Sequence, residues 1–256
     1  MNELRFDGQV AIVTGASGGM GRAVALAFAA AGASVVAADL TEDAGRETVE
    51  QIGQAGGRAV FVPTDVSDAA AVEALVARAT GDFGRLDCAV NAAAIEGERG
   101  PLHEVDDEVF DRIIAVNLRS IFLCMKHEIL AMLAAGRGGA IVNIASTNSF
   151  RPQPHQSAYT ASKHGVLGMT RNAAVDYGAE GIRINAICPG AIDTPMLRAA
   201  MERRGRQPEE VAGRLSLLGR FGQPDEIAQA CLWLCSDESS FTTGHALAVD
   251  GGYLAR

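Results

Sequence analysis

The chain has 256 residues, 48% of them apolar and 21% charged, and a net charge of −9. That length and apolar content suit one large α/β domain, or two small ones, with a sizeable buried core. The acidic balance, with no basic run longer than Arg203-Arg204, argues against nucleic acid or an anionic membrane as a partner.

The longest uncharged stretch, residues 23–38, falls short of the ~20 apolar residues of a spanning helix, and Gly32-Ala33-Ser34 divides it into helix and strand. Met1-Asn2-Glu3-Leu4-Arg5-Phe6-Asp7 has no apolar core behind its charges, so no signal peptide is expected. The five cysteines, at 88, 124, 188, 231 and 235, are odd in number and lie mostly in apolar runs, the usage of a reduced cytosol. Cys231 and Cys235 stand four apart in a helical pattern. With the histidines scattered singly, core packing is expected of them and a metal site is not.

Apolar runs of strand length, at residues 10–13, 34–39, 59–62, 86–91, 140–146, 182–188 and 246–249, alternate with helical patterns at 21–31, 42–54, 68–80, 106–135, 157–178 and 224–236. Continuous apolar strands in such alternation predict a doubly wound, Rossmann-like α/β fold: a parallel sheet of about seven strands with helices on both faces. No linker or short-period repeat interrupts it, so a single domain is expected over residues 1–256.

The first strand runs into Thr14-Gly15-Ala16-Ser17-Gly18-Gly19-Met20-Gly21 and then an alanine-rich helix. Glycines there let the backbone turn tightly and approach a pyrophosphate at the helix N-terminus. Asp39 closes the second strand. Its carboxylate suits the adenosine ribose hydroxyls and repels a 2′-phosphate, and neither the glycine loop nor Leu40 supplies a cation. NAD, rather than NADP, is the expected cofactor.

The fifth strand ends on Ser146, at the carboxyl edge where ligands meet open α/β sheets. After a polar loop, Ser157 is the expected N-cap of a helix whose apolar residues recur through Val166, Leu167, Met169 and Ala173. Tyr159 and Lys163, four apart, share one face of that helix. A phenol has a pKa of about 10, and a neighbouring ammonium favours its phenolate, which suits proton exchange. A surface Tyr and Lys at helical spacing is the plain alternative. Only two of the 22 basic residues are lysine (Lys126 and Lys163), which counts against chance.

Taken in order, the 14–21 loop, Asn91, Asn117, Ser146, Tyr159 with Lys163, and Pro189-Gly190 resemble the short-chain dehydrogenase/reductase family, in its single-domain form, along essentially the whole chain. The resemblance implies an NAD(H)-dependent oxidoreductase interconverting a small secondary alcohol and a ketone in the cytoplasm. It implies a catalytic set of four. Tyr159 is the general acid/base, and Lys163 lowers its pKa and binds the nicotinamide ribose. Ser146 orients the substrate oxygen. Asn117 sits at a local helix distortion and holds a water joining Lys163 to solvent. For the cofactor it implies contacts from Gly15, Ser17, Gly18, Gly19, Met20 and Gly21, from Asp39 and Leu40, and from Asp65 and Val66 at the adenine. Asn91, Ala92 and Ala93 pass beside it, Pro189 and Gly190 follow, and Ile192 and Thr194 meet the carboxamide. One departure stands out: the family's Asn-Asn-Ala-Gly reads Asn91-Ala92-Ala93-Ala94, or Val90-Asn91-Ala92-Ala93 in the other register, with alanine for glycine.

The helix over 106–135 carries Ile113, Ile114, Val116, Ile121, Phe122, Met125 and Leu130 on a broad apolar face. Resemblance makes it and the Tyr159 helix a contact between subunits of a homotetramer, and has the tail from Val249 to Tyr253 pack on a neighbour. It makes residues 191–219 a substrate lid, with Met196, Leu197 and Met201 lining an apolar cavity. Arg198, Arg203, Arg204, Arg206 and Arg214 are expected to form a solvated face more than a grip for an anionic substrate. Glu96, Thr147, Asn148, Gln153, His155 and Gln156 are expected to flank the pocket, His155 facing solvent. Polyols, cyclic diols, hydroxysteroids and hydroxy acids all remain open as substrates. Two alternatives are an NADPH-dependent carbonyl reductase of the 3-oxoacyl-thioester type, which Asp39 opposes, and a non-catalytic NAD-sensing protein, which the intact Tyr-Lys pair opposes.

Overall fold

The computed structural model describes residues 4–98, 100–203, 205 and 208–256. Among these residues the strands are β1 (Val10–Thr14), β2 (Ser34–Asp39), β3 (Arg58–Pro63), β4 (Cys88–Asn91), β5 (Gly139–Ile144), β6 (Ile182–Pro189) and β7 (Ala246–Val249). They form a seven-stranded sheet in the order β3-β2-β1-β4-β5-β6-β7, every pairing parallel. The helices are α1 (Gly19–Ala30), α2 (Glu42–Gln54), α3 (Ala69–Phe83), α4 (Asp107–Ile114), α5 (Ser120–Ala135), α6 (Ser157–Tyr177), α7 (Pro195–Arg203), α8 (Pro208–Leu215) and α9 (Pro224–Cys235).

The strands read as continuous apolar runs because both faces of the sheet are covered. Side chains alternate between the faces. Val13, Val35, Ala37 and Val142 meet Val24 and Phe28 of α1 and Ile227 and Cys231 of α9. Ile12, Val36, Ala89 and Ile141 meet Leu75 of α3, Ile129 of α5 and Val166 of α6. Cys231 and Cys235 are buried in the first of these layers, so packing is their role, and all five cysteines are free thiols. Among the described residues no helix is long and apolar enough to cross a membrane.

Several local expectations change. The segment 106–135 is three pieces, with a π-helical turn (Ala115–Arg119) between α4 and α5, so the distortion expected at Asn117 is present. Its apolar face also divides: Ile113, Ile121 and Met125 are buried, whereas Phe122 and Leu130 are half exposed. Ser157 is the first residue of α6 and not its cap. The cap position is Gln156, without a side-chain bond to the helix. A distant carboxylate does the capping: Glu98 accepts the Ala158 and Tyr159 N–H groups at 2.7 and 3.1 Å and the Ser157 hydroxyl at 3.1 Å. The tail folds back on its own chain, with Tyr253 buried beneath the Arg151 guanidinium, 4.8 Å from the ring centroid, and bonded to Gln153.

Candidate active site

The strand order reverses between β1 and β4, and loops leaving such a switch point diverge to open a crevice. Thr14 and Asn91 are register partners there. The buried Thr14 hydroxyl accepts the Ala92 and Ala93 N–H groups at 3.0 and 3.3 Å, tying the two departing loops together. Gly15 then takes a φ of +72°, and a Cβ on it would lie 2.9 Å from the Ala93 nitrogen. A Cβ on Gly21 would lie 2.1 Å from the Gly15 oxygen, so this turn admits only glycine at both places. α1 starts without a side-chain cap and without an acidic residue in its first turn, which leaves its leading N–H groups suited to an anion.

Beyond the loop lies a cleft of about 440 Å³, walled by Gly15, Ser17, Gly18, Gly19, Met20 and Gly21 on one side and by Asp39, Leu40, Asp65 and Val66 at its far end. Asp39 accepts the Ser17 N–H at 3.1 Å and the Thr41 N–H at 3.0 Å, which orients both oxygens and leaves lone pairs for ribose hydroxyls. Asp65 accepts the Ser67 hydroxyl and N–H at 2.6 and 2.9 Å, and these bonds lower its pKa. Ala92 and Ala93 also line the cleft. The glycine turn, the bare helix start and the strand-end carboxylate together fit a dinucleotide. Arg112, Ala115 and Val116 also line it, and no motif in the sequence points to them.

Asn91 is the exception among the expected contacts. Its side chain lines neither cavity, but turns inward and donates to Glu128 at 3.1 Å and to Asn143 at 3.0 Å. Its place in the cleft is limited to leading the chain there.

Three of the four residues expected to be catalytic, Ser146, Tyr159 and Lys163, meet at the other end. Ser146, two residues past β5, accepts the Asn148 N–H at 3.1 Å and lines the same cavity as Tyr159. Lys163 is buried, donates from Nζ to the Ile144 carbonyl at 2.8 Å, and lies 5.6 Å from the centroid of the Tyr159 ring. Burial lowers the Lys163 ammonium to about 8. Burial likewise raises the Tyr159 phenol, Glu96's charge adds to the rise, and the Ser146 hydroxyl opposes it. The expectation that Lys163 pulls the phenol down is corrected: burial penalises the charged form of each group, phenolate and ammonium alike, and Lys163 is not among the causes that act on the phenol. The phenol stays protonated at neutral pH.

Asn117 is fully buried, and its side chain is taken up by Ile95, accepting the N–H at 2.8 Å and donating to the carbonyl at 2.9 Å. It clamps the segment after β4 to the π turn.

A cavity of about 200 Å³ adjoins Ser146, Tyr159 and Lys163. Pro189, Gly190, Ile192 and Thr194 form one wall, and Met196, Leu197 and Met201 an apolar roof. Met20, Ala92, Ala94, Thr194 and Met196 border both cavities, so the two adjoin. Glu96, Thr147, Asn148, Gln153 and Gln156 line it as expected, whereas His155 is exposed and does not. Tyr253 of the tail lines it too, which sequence order does not suggest. Arg198 pairs with Asp193 at 2.7 Å on the surface, and neither it nor Arg214 borders either cavity. Arg204 and Arg206 lie outside the described residues, as does the side chain of Arg203.

Compared with known proteins, residues 15–254 match a family model described as enoyl-(acyl carrier protein) reductase. The short-chain dehydrogenase/reductase astE of Aspergillus oryzae is 46% identical over 254 residues, 98% of this chain and 97% of that one. The chain belongs to the short-chain dehydrogenase/reductase family. Among other members, a 2,5-dichloro-2,5-cyclohexadiene-1,4-diol dehydrogenase of Sphingobium indicum is 44% identical over 251 residues, 98% of each chain. The crystal structure of levodione reductase superposes with a TM-score of 0.92 at 38% identity, covering 98% of this chain and 99% of that one. Carveol dehydrogenase from Mycobacterium avium, in complex with NAD, gives 0.94 at 30% identity, covering 99% and 100%. A structure from Agrobacterium tumefaciens with bound NADP gives 0.90 at 36%, covering 100% of both. Short-chain dehydrogenases/reductases use nicotinamide cofactors, and relatives of this one are alcohol and diol dehydrogenases, which supports an oxidoreductase.

Proposed function

We propose that the chain is an NAD(H)-dependent dehydrogenase interconverting a secondary alcohol and a ketone, with Tyr159 transferring the proton. The observation that carries this reading is the convergence of Ser146, Tyr159 and Lys163 on one cavity that adjoins the cleft of the glycine turn. When bound, the dinucleotide supplies or accepts the hydride and, oxidised, brings a positive ring that offsets the penalty on a buried phenolate. Tyr159 gives its proton to the ketone oxygen in reduction and takes it from the alcohol in oxidation. Ser146 holds the same oxygen through its hydroxyl. Lys163 has N–H groups to spare beyond the Ile144 bond for the nicotinamide ribose. Asn117 holds the Ile95 segment and has one N–H and one lone pair left for the water that joins Lys163 to solvent.

Asp39 supports NAD, because a second negative charge beside its oriented carboxylate is repelled. The relatives' names support a ring alcohol, cyclohexanol among them. In this reading the chain works as one domain in the cytoplasm, as a homotetramer, with α7 and α8 as the lid over the substrate. The test is a panel of cyclic alcohols with NAD and NADP in turn. NAD turnover is expected to exceed NADP turnover. Tyr159→Phe is expected to lower kcat by about 10²–10⁴-fold while NAD affinity holds, and retained turnover in that variant refutes the mechanism. A thioester ketone reduced faster with NADPH would favour the carbonyl-reductase alternative. NAD binding without turnover would favour the sensor.

A further inference from the structure

Of the side chains that line the cavity beside Tyr159, one comes from the last four residues of the chain. Tyr253 is 6% exposed and borders that cavity, but not the cleft of the glycine turn. Its ring is held from several directions. The Arg151 guanidinium stands over it, and its hydroxyl bonds to the side-chain amide of Gln153, which lines the same cavity. The backbone around it is fixed as well. Asp250 accepts the Gly252 and Leu254 N–H groups, both at 2.8 Å, and the Gly251 carbonyl accepts the Leu217 N–H at 2.7 Å. Arg256 closes the tail. Its guanidinium donates to the Gly213 and Arg214 carbonyls in the last turn of α8, where carbonyls lack helical partners, and its own carbonyl accepts from Arg151 at 3.0 Å. The tail therefore ties α8 to the loop after β5.

The other apolar walls can give way. Met196 and Met201 are unbranched and turn about three bonds, so they adapt to what they touch. An aromatic ring stacked on one side and bonded at its tip does not. Space is also short. An apolar cavity of about 150 Å³ takes one benzene-sized ring. At about 200 Å³, with one end shared with the nicotinamide, this chamber has room for one ring and little more. A bulky substituent on that ring must displace a wall, and Tyr253 is the wall that resists.

We propose that Tyr253 is a specificity-determining residue: its fixed ring closes the substrate cavity and sets the largest alcohol that fits, by its bulk and not through its hydroxyl. This rests on the dehydrogenase reading above and adds to it a size limit set from the C-terminal tail.

The experiment compares kcat/KM for cyclohexanol and for 2-, 3- and 4-tert-butylcyclohexanol in the wild type, Tyr253→Phe, Tyr253→Leu and Tyr253→Ala. The ratio of each bulky alcohol to cyclohexanol is the readout, because lost enzyme and any common effect at Tyr159 cancel in it. Three positions of the substituent aim it at different walls. Tyr253→Ala should raise the ratio for at least one isomer by about tenfold or more, the scale on which a pocket discriminates by one or a few carbon atoms. Tyr253→Leu should raise it less, and Tyr253→Phe, which keeps the ring and loses the Gln153 bond, should leave it near the wild-type value. NAD affinity should hold in all three, since Tyr253 does not border the cleft. Should Tyr253→Ala fail to fold, Tyr253→Leu carries the test. Ratios that rise for no isomer in either variant overturn the proposal, and so does a rise in Tyr253→Phe as large as in Tyr253→Ala. Calorimetry of the same alcohols with the Tyr159→Phe variant and NAD separates the two claims. If no alcohol turns over in the wild type but the relative affinity for a bulky isomer still rises on adding Tyr253→Ala, the size limit stands and the dehydrogenase reading falls. If alcohols are oxidised and the ratios ignore Tyr253, the size limit falls alone.

Discussion

At Tyr159 two influences raise the pKa, burial first and the Glu96 carboxylate second, and the Ser146 hydroxyl lowers it. The charged form of a phenol is the anion, so raising its pKa extends the protonated form to higher pH. Reduction needs the protonated phenol and oxidation the phenolate. Ketone reduction should therefore hold steady through neutral pH and fall only in alkali, while alcohol oxidation climbs with pH over the same range. Glu96→Gln removes one raising influence, so its oxidation limb should move to lower pH. Profiles of kcat/KM in both directions measure this, and coincident limbs for the two enzymes would show that the carboxylate does not act on the phenol. At this scale the sequence is partly legible. Ser146, Tyr159 and Lys163 are visible because a strand end and one helical turn fix their relation. The direction of the phenol's shift is not, because it depends on burial and on Glu96, which sits 63 positions away in the chain.

Among the elements, α6 carries Tyr159 and Lys163, and Glu98 caps α6. The helix itself is readable from its apolar period, but its cap is not, since capping usually comes from a residue next to the helix and this one lies on another loop. Glu98→Ala removes the acceptor of two backbone N–H groups, one of them on Tyr159. A loss of about 1–2 kcal/mol in urea unfolding is expected, with a fall in kcat larger than the change in KM. Glu98→Gln, which keeps an acceptor, should recover part of both. α5 carries a different burden. Glu128 is buried and bonded to Asn91, and desolvation raises its pKa to about 7 from 4.5. Its folded form holds the proton to higher pH than the unfolded chain does, so stability falls as pH rises from 4.5 through 7. Above that window the buried charge costs about 3 kcal/mol. Glu128→Gln should thus be near neutral at pH 4.5 and stabilising at pH 8, as read by unfolding at the two values. An equal effect at both would remove Glu128 as the source.

Across the whole molecule, the alternation of apolar runs predicts the doubly wound sheet because buried parallel strands leave no other pattern, and the sheet order then places the cleft. What alternation does not reveal is which apolar residues the finished subunit leaves uncovered. Phe122 and Leu130 read only as members of a broad apolar face, and they are 51% and 55% exposed on α5, while Val175 on α6 is 83% exposed. A monomer rarely leaves large apolar patches to water, and these two helices are the ones that resemblance assigns to the subunit contact. The wild type is accordingly expected to sediment as a tetramer at micromolar concentration. Contacts about a two-fold axis are isologous, so each substitution acts twice in every interface. Leu130→Glu with Val175→Glu places four carboxylates in each such contact and should split the assembly into smaller species. Neither residue belongs to the packed layers of the subunit, so circular dichroism should show the fold retained. A wild type that sediments as a monomer would remove the contact altogether, whereas a double variant that remains tetrameric would move it to another face, where Leu217, Leu218 and Phe241 are large exposed apolar side chains.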